Sequence, residues 1–264
     1  MDNDSIDTVD QIEKNIEFVL NGGPFISKKD AWIFDNTKNI DRYIKKYTRS
    51  MYFPINHKEE TVFYYKHWIN YVENLKKLIQ WKDIIDCWAY IGDSAMMFTK
   101  ELWFSEGGGI KQIFCLEPDF SNRKLLVKTI NGNKMNGKII PVPLWVWKKK
   151  ETLYIDFNWS ASTVWDKGNK SNSIQIDTID NIVDNYNINP WLIKWDIEWL
   201  EYDSILWAED TIKKFKPVLL ISIYHNGKDF YEIKPLIESW NVEYKFKIRH
   251  LSTHLFYETM LICY

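Results

Sequence analysis

Residues 84–94 read Ile84-Ile85-Asp86-Cys87-Trp88-Ala89-Tyr90-Ile91-Gly92-Asp93-Ser94, and the reading of this stretch decides the architecture. The apolar run 84–87 has the length of a buried strand, and apolar residues at helical spacing resume over 94–104. A strand that passes through a short acidic loop straight into a helix opens an α/β sheet. Toward the C-terminus the alternation repeats. Strands are predicted at 112–116, 138–142, 191–195 and 218–224, and helices at 120–130, 178–186, 202–215 and 229–240. Residues 144–176 predict strand pieces and loops, with 152–157 and 173–176 as the strands. Two last strands, 243–249 and 255–263, joined by a short turn around Ser252-Thr253, predict an antiparallel hairpin. The expected fold is a doubly wound, mostly parallel seven-stranded sheet that finishes in that hairpin.

Toward the N-terminus the grammar differs. Residues 6–20 carry apolar side chains at helical spacing and stop at Gly22-Gly23, a helix-ending signal. A polar, lysine-rich stretch follows, then a long amphipathic helix predicted over 60–79 with Phe63, Trp68, Tyr71 and Leu75 on one face. The chain is therefore divided into a helical lead-in, 1–80, and an α/β domain, 81–264.

Composition excludes several classes. With 264 residues the chain can bury a sizeable core without staples. A net charge of −2 offers neither a nucleic-acid tract nor a membrane-surface patch. No apolar run approaches the roughly 18 residues a membrane span needs. Cys87, Cys115 and Cys263 lie far apart in apolar segments and read as core residues of a reducing compartment. The polar, acidic start is not a secretory signal, so the protein is read as cytoplasmic.

Chemistry collects at the predicted strand ends, where doubly wound sheets bind ligands. Asp86, the loop 88–92 and the helix start at Asp93-Ser94 suit a nucleoside cofactor with a charged tail, whose carboxylate backbone N–H groups can hold. Asp93 and Ser94 also read as ordinary caps. Glu117, ending the second strand, can accept hydrogen bonds from both ribose hydroxyls, or can simply face solvent. After the fourth strand come Asp196, Glu198 and Glu201, three carboxylates within six residues. Asp196 would orient acceptor or cofactor; Glu198 and Glu201 could take a proton or bind a cation, although Glu201 also suits the dipole of a helix start. His225 ends the fifth strand and reads either as a general base or as a hydrogen-bonded structural histidine. His57, His67, His250 and His254 stand apart from carboxylate or cysteine clusters and receive no role; no metal is assigned.

In this order, these segments resemble the FkbM family of methyltransferases. The pieces are 85–94, Leu116-Glu117-Pro118 with Asn122, Asp177-Thr178-Ile179-Asp180, 193–201 and Ser222-Ile223-Tyr224-His225, spread over residues 82–264. The resemblance implies a Rossmann-like class I methyltransferase fold and S-adenosylmethionine as methyl donor. It also implies O-methylation of a small-molecule or saccharide acceptor hydroxyl. Asp86, Gly92, Asp93 and Glu117 fall on cofactor-binding positions, and Trp88, Ala89, Tyr90 and Ser94 complete the expected cofactor set. Asp196, Glu198 and His225 form the expected catalytic set.

The departures are systematic. The family pattern wants glycine at Trp88, Trp199 and Trp207, and Trp145, Trp159 and Trp165 also stand where glycine reads more naturally. The chain holds 14 tryptophans against 10 glycines, a ratio that points the same way. Either the chain is a relative that has lost the cofactor, or UGA codons that some bacterial lineages read as glycine stand here as tryptophan. Two rival functions follow from the same fold. A glycan- or ligand-binding protein without catalysis would not take the cofactor even with glycine restored. A nicotinamide oxidoreductase would want G-x-G-x-x-G after the first strand, where the chain offers only Gly92.

Overall fold

The computed structural model describes residues 1–21, 34–75, 80–102, 109–154, 173–250 and 258–264. Helix α1 (Asn3–Leu20) is capped by Asp2, whose side chain accepts from the Ser5 N–H at 3.0 Å. Helix α2 (Phe34–Tyr47) lies in the stretch read as merely polar; Ile40, Ile44 and Tyr47 bury one stripe while lysines occupy the opposite face. The long helix expected over 60–79 is absent over its described part. A short α3 (Glu60–Phe63) is followed by a 3-10 turn (Lys66–Tyr71) in which Lys66, His67 and Trp68 take φ of 55°, 48° and 53°. Val62, Phe63, His67, Trp68 and Ile69 are all buried. A straight helix buries a single stripe, so consecutive inward pairs break its period.

The α/β portion runs β1 (Gln80–Cys87), α4 (Asp93–Leu102), β2 (Gly109–Leu116), α5 (Phe120–Gly132) and β3 (Ile139–Val142). Then come β4 (Leu144–Val146), β5 (Glu151–Tyr154), β6 (Ser173–Asp177), α6 (Ile179–Asn185) and β7 (Pro190–Trp195). The last elements are α7 (Glu201–Leu206), α8 (Glu209–Phe215), β8 (Val218–Ser222), α9 (Gly227–Ser239), β9 (Phe246–Arg249) and β10 (Met260–Cys263). The helix expected over 202–215 is thus two, broken at Trp207-Ala208.

Seven strands form one sheet in the order β3-β2-β1-β7-β8-β10-β9, and β4-β6-β5 make a small separate sheet. The large sheet is parallel except for β10, which runs antiparallel to both β8 and β9. The expected seven-stranded sheet and terminal antiparallel pair are both present; the Ser252-Thr253 turn lies outside the described residues.

Side chains alternate across the sheet, and both faces are covered. Ile84, Ile113, Leu192, Leu220 and Ile262 pack with α2, α3, α4 and the 3-10 turn. Ile85, Phe114, Ile193, Leu219 and Leu261 pack with the helices of the second half. The lead-in therefore supplies part of one helical layer. No described helix is long and apolar enough to cross a membrane.

Candidate active site

Chain order reverses beside β1: β2 lies on one side and β7 on the other. Such a switch point opens a crevice at the strands' carboxyl ends. Here the crevice is a cleft of about 590 Å³, within the range of small-ligand sites. Its walls come from the loop after β1, the start of α5, the loops after β7 and β8, and the lead-in.

The loop after β1 is tied down by its backbone. The N–H groups of Trp88 and Ala89 both donate to Leu116 O, at 2.9 and 3.1 Å, and that of Gly92 donates to Ala89 O at 2.7 Å. Gly92 has φ +82°, and a Cβ there would lie 2.6 Å from Leu126 Cδ1, so only glycine passes between loop and helix. Trp88, at φ 67°, holds a conformation that glycine adopts cheaply and a bulky residue does not. Its indole lines the cleft and lies 5.4 Å from the Trp145 ring. Trp199 has φ 83° and is exposed. Trp207 differs from the expectation. Its φ is −98°, an ordinary helix-end conformation that makes no demand for glycine. Trp145 is a buried strand residue, and Trp159 and Trp165 lie outside the described residues.

Trp88, Tyr90, Asp93, Ser94, Asp196 and Glu198 share the cleft wall. Asp86 lies beneath it, fully buried, with Oδ1 3.4 Å from Lys194 Nζ. Burial pushes its carboxyl up to about 6, against the pull of the Lys194 charge. Ala89 and Gly92 shape the loop from below. Glu117 does not face solvent. It is wholly buried, accepts the N–H groups of Tyr90 (2.8 Å) and Asp119 (2.9 Å), and is pushed up to about 7 by burial. Pro118, Asp119 and Asn122 take the wall positions beside it.

On the opposite side, Lys194 Nζ lies 3.7 Å from Asp196. Burial opposes the charge on Asp196, but Lys194 and His225 outweigh it and hold the carboxyl low. Burial pushes Glu198 up. His225 stands just behind them, with Nε2 3.7 Å from Asp196 Oδ1 and 3.6 Å from Glu198 Oε2, and Nδ1 2.8 Å from the buried Glu201. Burial works against the imidazolium, yet Glu201, Asp196 and Glu198 together raise its pKa to about 9.

Sequence reading missed the lead-in's share of the site. His57 and His67 line the cleft, and His57, far from lacking a carboxylate, pairs with Glu59 at 2.9 Å. The signal available was the local His57-x-Glu59 spacing. For His67 and Lys194 none was visible, because only the fold brings them to the site.

Among solved structures, the chain is similar to the methyltransferase FkbM from Methylobacillus flagellatus KT, with a TM-score of 0.56 and 19% identity. The fold is that of an FkbM-type methyltransferase. The match covers 90% of this chain and 62% of that one, so the chain spans under two thirds of its neighbour's length. It is also similar to a putative O-methyltransferase from Klebsiella pneumoniae (9% identity, 90% and 96% covered, TM-score 0.47). A methyltransferase from Geobacter sulfurreducens gives 7% identity, 91% and 97% coverage and a TM-score of 0.45. No protein-family model matches the sequence, and no curated protein matches it significantly.

Proposed function

We propose that this chain is an S-adenosylmethionine-dependent methyltransferase that modifies a hydroxyl of a small-molecule or saccharide acceptor. The observation that carries this reading is the cleft itself. A glycine-hinged loop and helix start form one wall, and Asp196, Glu198 and His225 gather on the other. Asp93 and Ser94, with Tyr90 and the residues after Glu117, would hold the cofactor. When bound, it supplies a methyl group on sulfonium, so the protein's task is to align an acceptor oxygen and receive its proton.

Asp196 and Glu198 face the acceptor, and His225 is the proton's destination. An imidazole ringed by three carboxylates is a strong base in its neutral form, because each of them stabilises the cation it becomes. The high pKa makes activity rise with pH up to about 9.

Trp88 is the obstacle in the cleft. The test is calorimetric titration of S-adenosylmethionine into the chain and into a Trp88→Gly, Trp199→Gly variant. Binding by the variant, tighter than by the parent chain, is expected. Absence of binding in both sinks the reading and leaves a cofactor-free binding protein as the better account.

A further inference from the structure

The two edges of the large sheet are closed differently. Strand β3, at one edge, carries Pro141, which has no N–H to offer a further strand. Strand β9, at the other, carries no proline. Lys245 and Tyr264 exchange both backbone bonds, at 2.8 and 3.1 Å, so antiparallel alternation turns the N–H and C=O of Lys247 and Arg249 toward β10 as well. Those of Tyr244, Phe246 and Ile248 point outward. Ile248 bears this out, since its N–H reaches Ser5 Oγ of α1 at 2.8 Å and its carbonyl accepts from Arg249 at 2.7 Å. The outward backbone groups of Tyr244 and Phe246 have no partner among the described residues.

This open stretch runs along a groove of about 750 Å³ that shares no lining residue with the cleft. Ile237 and Glu238, at the end of α9, line one side, Glu73 and Tyr264 the other, and Asp2 stands at one end, paired with Arg249. An unpaired strand edge in a groove is a template for one more strand. The charges indicate which strand. Glu73, Glu238 and Glu243 face Lys245 and Lys247 along the same groove, a mixture of signs that suits a copy of itself better than a peptide chosen for one charge.

We propose that β9 is a dimerisation edge, where two copies of the chain pair antiparallel about a two-fold axis and join their sheets into one. The register follows from what is free. Glu243, at φ 60°, ends the extended run on one side, and Ser5 occupies Ile248 on the other. Hydrogen-bonded pairs therefore form between Tyr244 of each copy and Phe246 of the other, with the axis at Lys245. That register brings each Glu243 beside Lys247 of the second copy. The two Lys245 side chains meet at the axis, each already neutralised by Glu73 at 2.8 Å in its own chain. The interface is independent of the methyltransferase reading.

Sedimentation equilibrium of the full chain over a wide concentration range, with amide exchange followed by NMR, tests it. Expected are a monomer–dimer equilibrium and protection of the Phe246 N–H that rises with the dimer fraction. The Lys247 N–H, directed at β10 in either state, should not change. Glu243→Lys turns two attractions across the axis into two repulsions and should weaken the dimer about tenfold. The Glu243 side chain is 88% exposed, so the monomer keeps its fold. A chain that stays monomeric at every concentration overturns the proposal. So does a dimer whose Phe246 N–H exchanges as freely as in the monomer, or one that Glu243→Lys leaves as tight as before.

Discussion

Trp68, Trp81, Trp88 and Trp199 have φ of 53°, 54°, 67° and 83°, in the left-handed region where a side chain beyond glycine costs roughly 1–2 kcal/mol. Trp195 is their opposite. It is wholly buried at the end of β7, and its indole N–H donates to Ser204 Oγ at 3.0 Å. Substitutions at the two kinds of position should therefore move stability in opposite directions. Trp199→Gly, at an exposed site, is expected to stabilise by about 1 kcal/mol. Trp195→Ala should destabilise by about 3–5 kcal/mol through the cavity and the orphaned hydroxyl. Urea titrations of both variants check the pair. The special backbone at 88 and 199 was legible because both fall on motif positions where glycine is expected. At 207 the same inference fails, because a break between two helices needs no left-handed residue.

At the scale of elements, the first turn of α7 governs the acidic wall. Glu201 accepts the Ile197 N–H at 2.7 Å and holds His225 Nδ1, so one side chain joins the end of β7, the start of a helix and the loop after β8. On this basis Glu201 is a positioning residue. Glu201→Gln removes one of the three carboxylates that raise His225, so the ascending limb of kcat/KM should move from about 9 down toward the unperturbed imidazole value. A pH–rate profile of the variant reads this directly; an unchanged limb with a uniformly lower rate would leave Glu201 a purely structural part. The strands of this wall were legible because a sheet covered on both faces makes its strands nearly continuous apolar runs. The kink at 66–68 was not. Its aromatic and aliphatic residues satisfy a helical period on paper, and only tertiary burial of adjacent pairs breaks it.

For the whole molecule, the buried carboxyls dominate the response to pH. Burial pushes Asp86 and Asp93 up to about 6, and Glu117 and Asp229 up to about 7. A carboxyl whose pKa is raised on folding favours the folded state while protonated, and that contribution is lost as pH climbs from the unfolded value through the folded one. His225, raised to about 9, has the same sign and loses its contribution as pH rises through that value. The ligand-free chain should thus melt highest near pH 4, at the unfolded carboxyl values, and lose on the order of several kcal/mol by pH 8. Below pH 4 the trend reverses as Asp2 and Asp196, held low by Arg249 and by Lys194, become protonated. Calorimetric melting temperatures across pH 4–9 test the curve; a maximum near pH 8 would contradict it. The lead-in's place in the site was hidden at this scale. His57 and Glu59 lie about thirty residues before the loop they face, and a turn without periodicity carries no sign of its destination.

The position of β10 between β8 and β9 has a consequence for how the molecule assembles. Among the described residues, strand β9 pairs with the sheet only through β10, and α1 docks on β9, where Ser5 Oγ accepts the Ile248 N–H at 2.8 Å and Asp2 meets Arg249 at 2.7 Å. The first helix of the chain thus waits on pairings more than two hundred residues away, and loop closure over that span is slow. The centre around β1, β2 and β7 can nucleate without it. Folding should therefore end where the sequence starts, and partial opening should begin there, with α1, β9 and β10 leaving together as one cooperative flap.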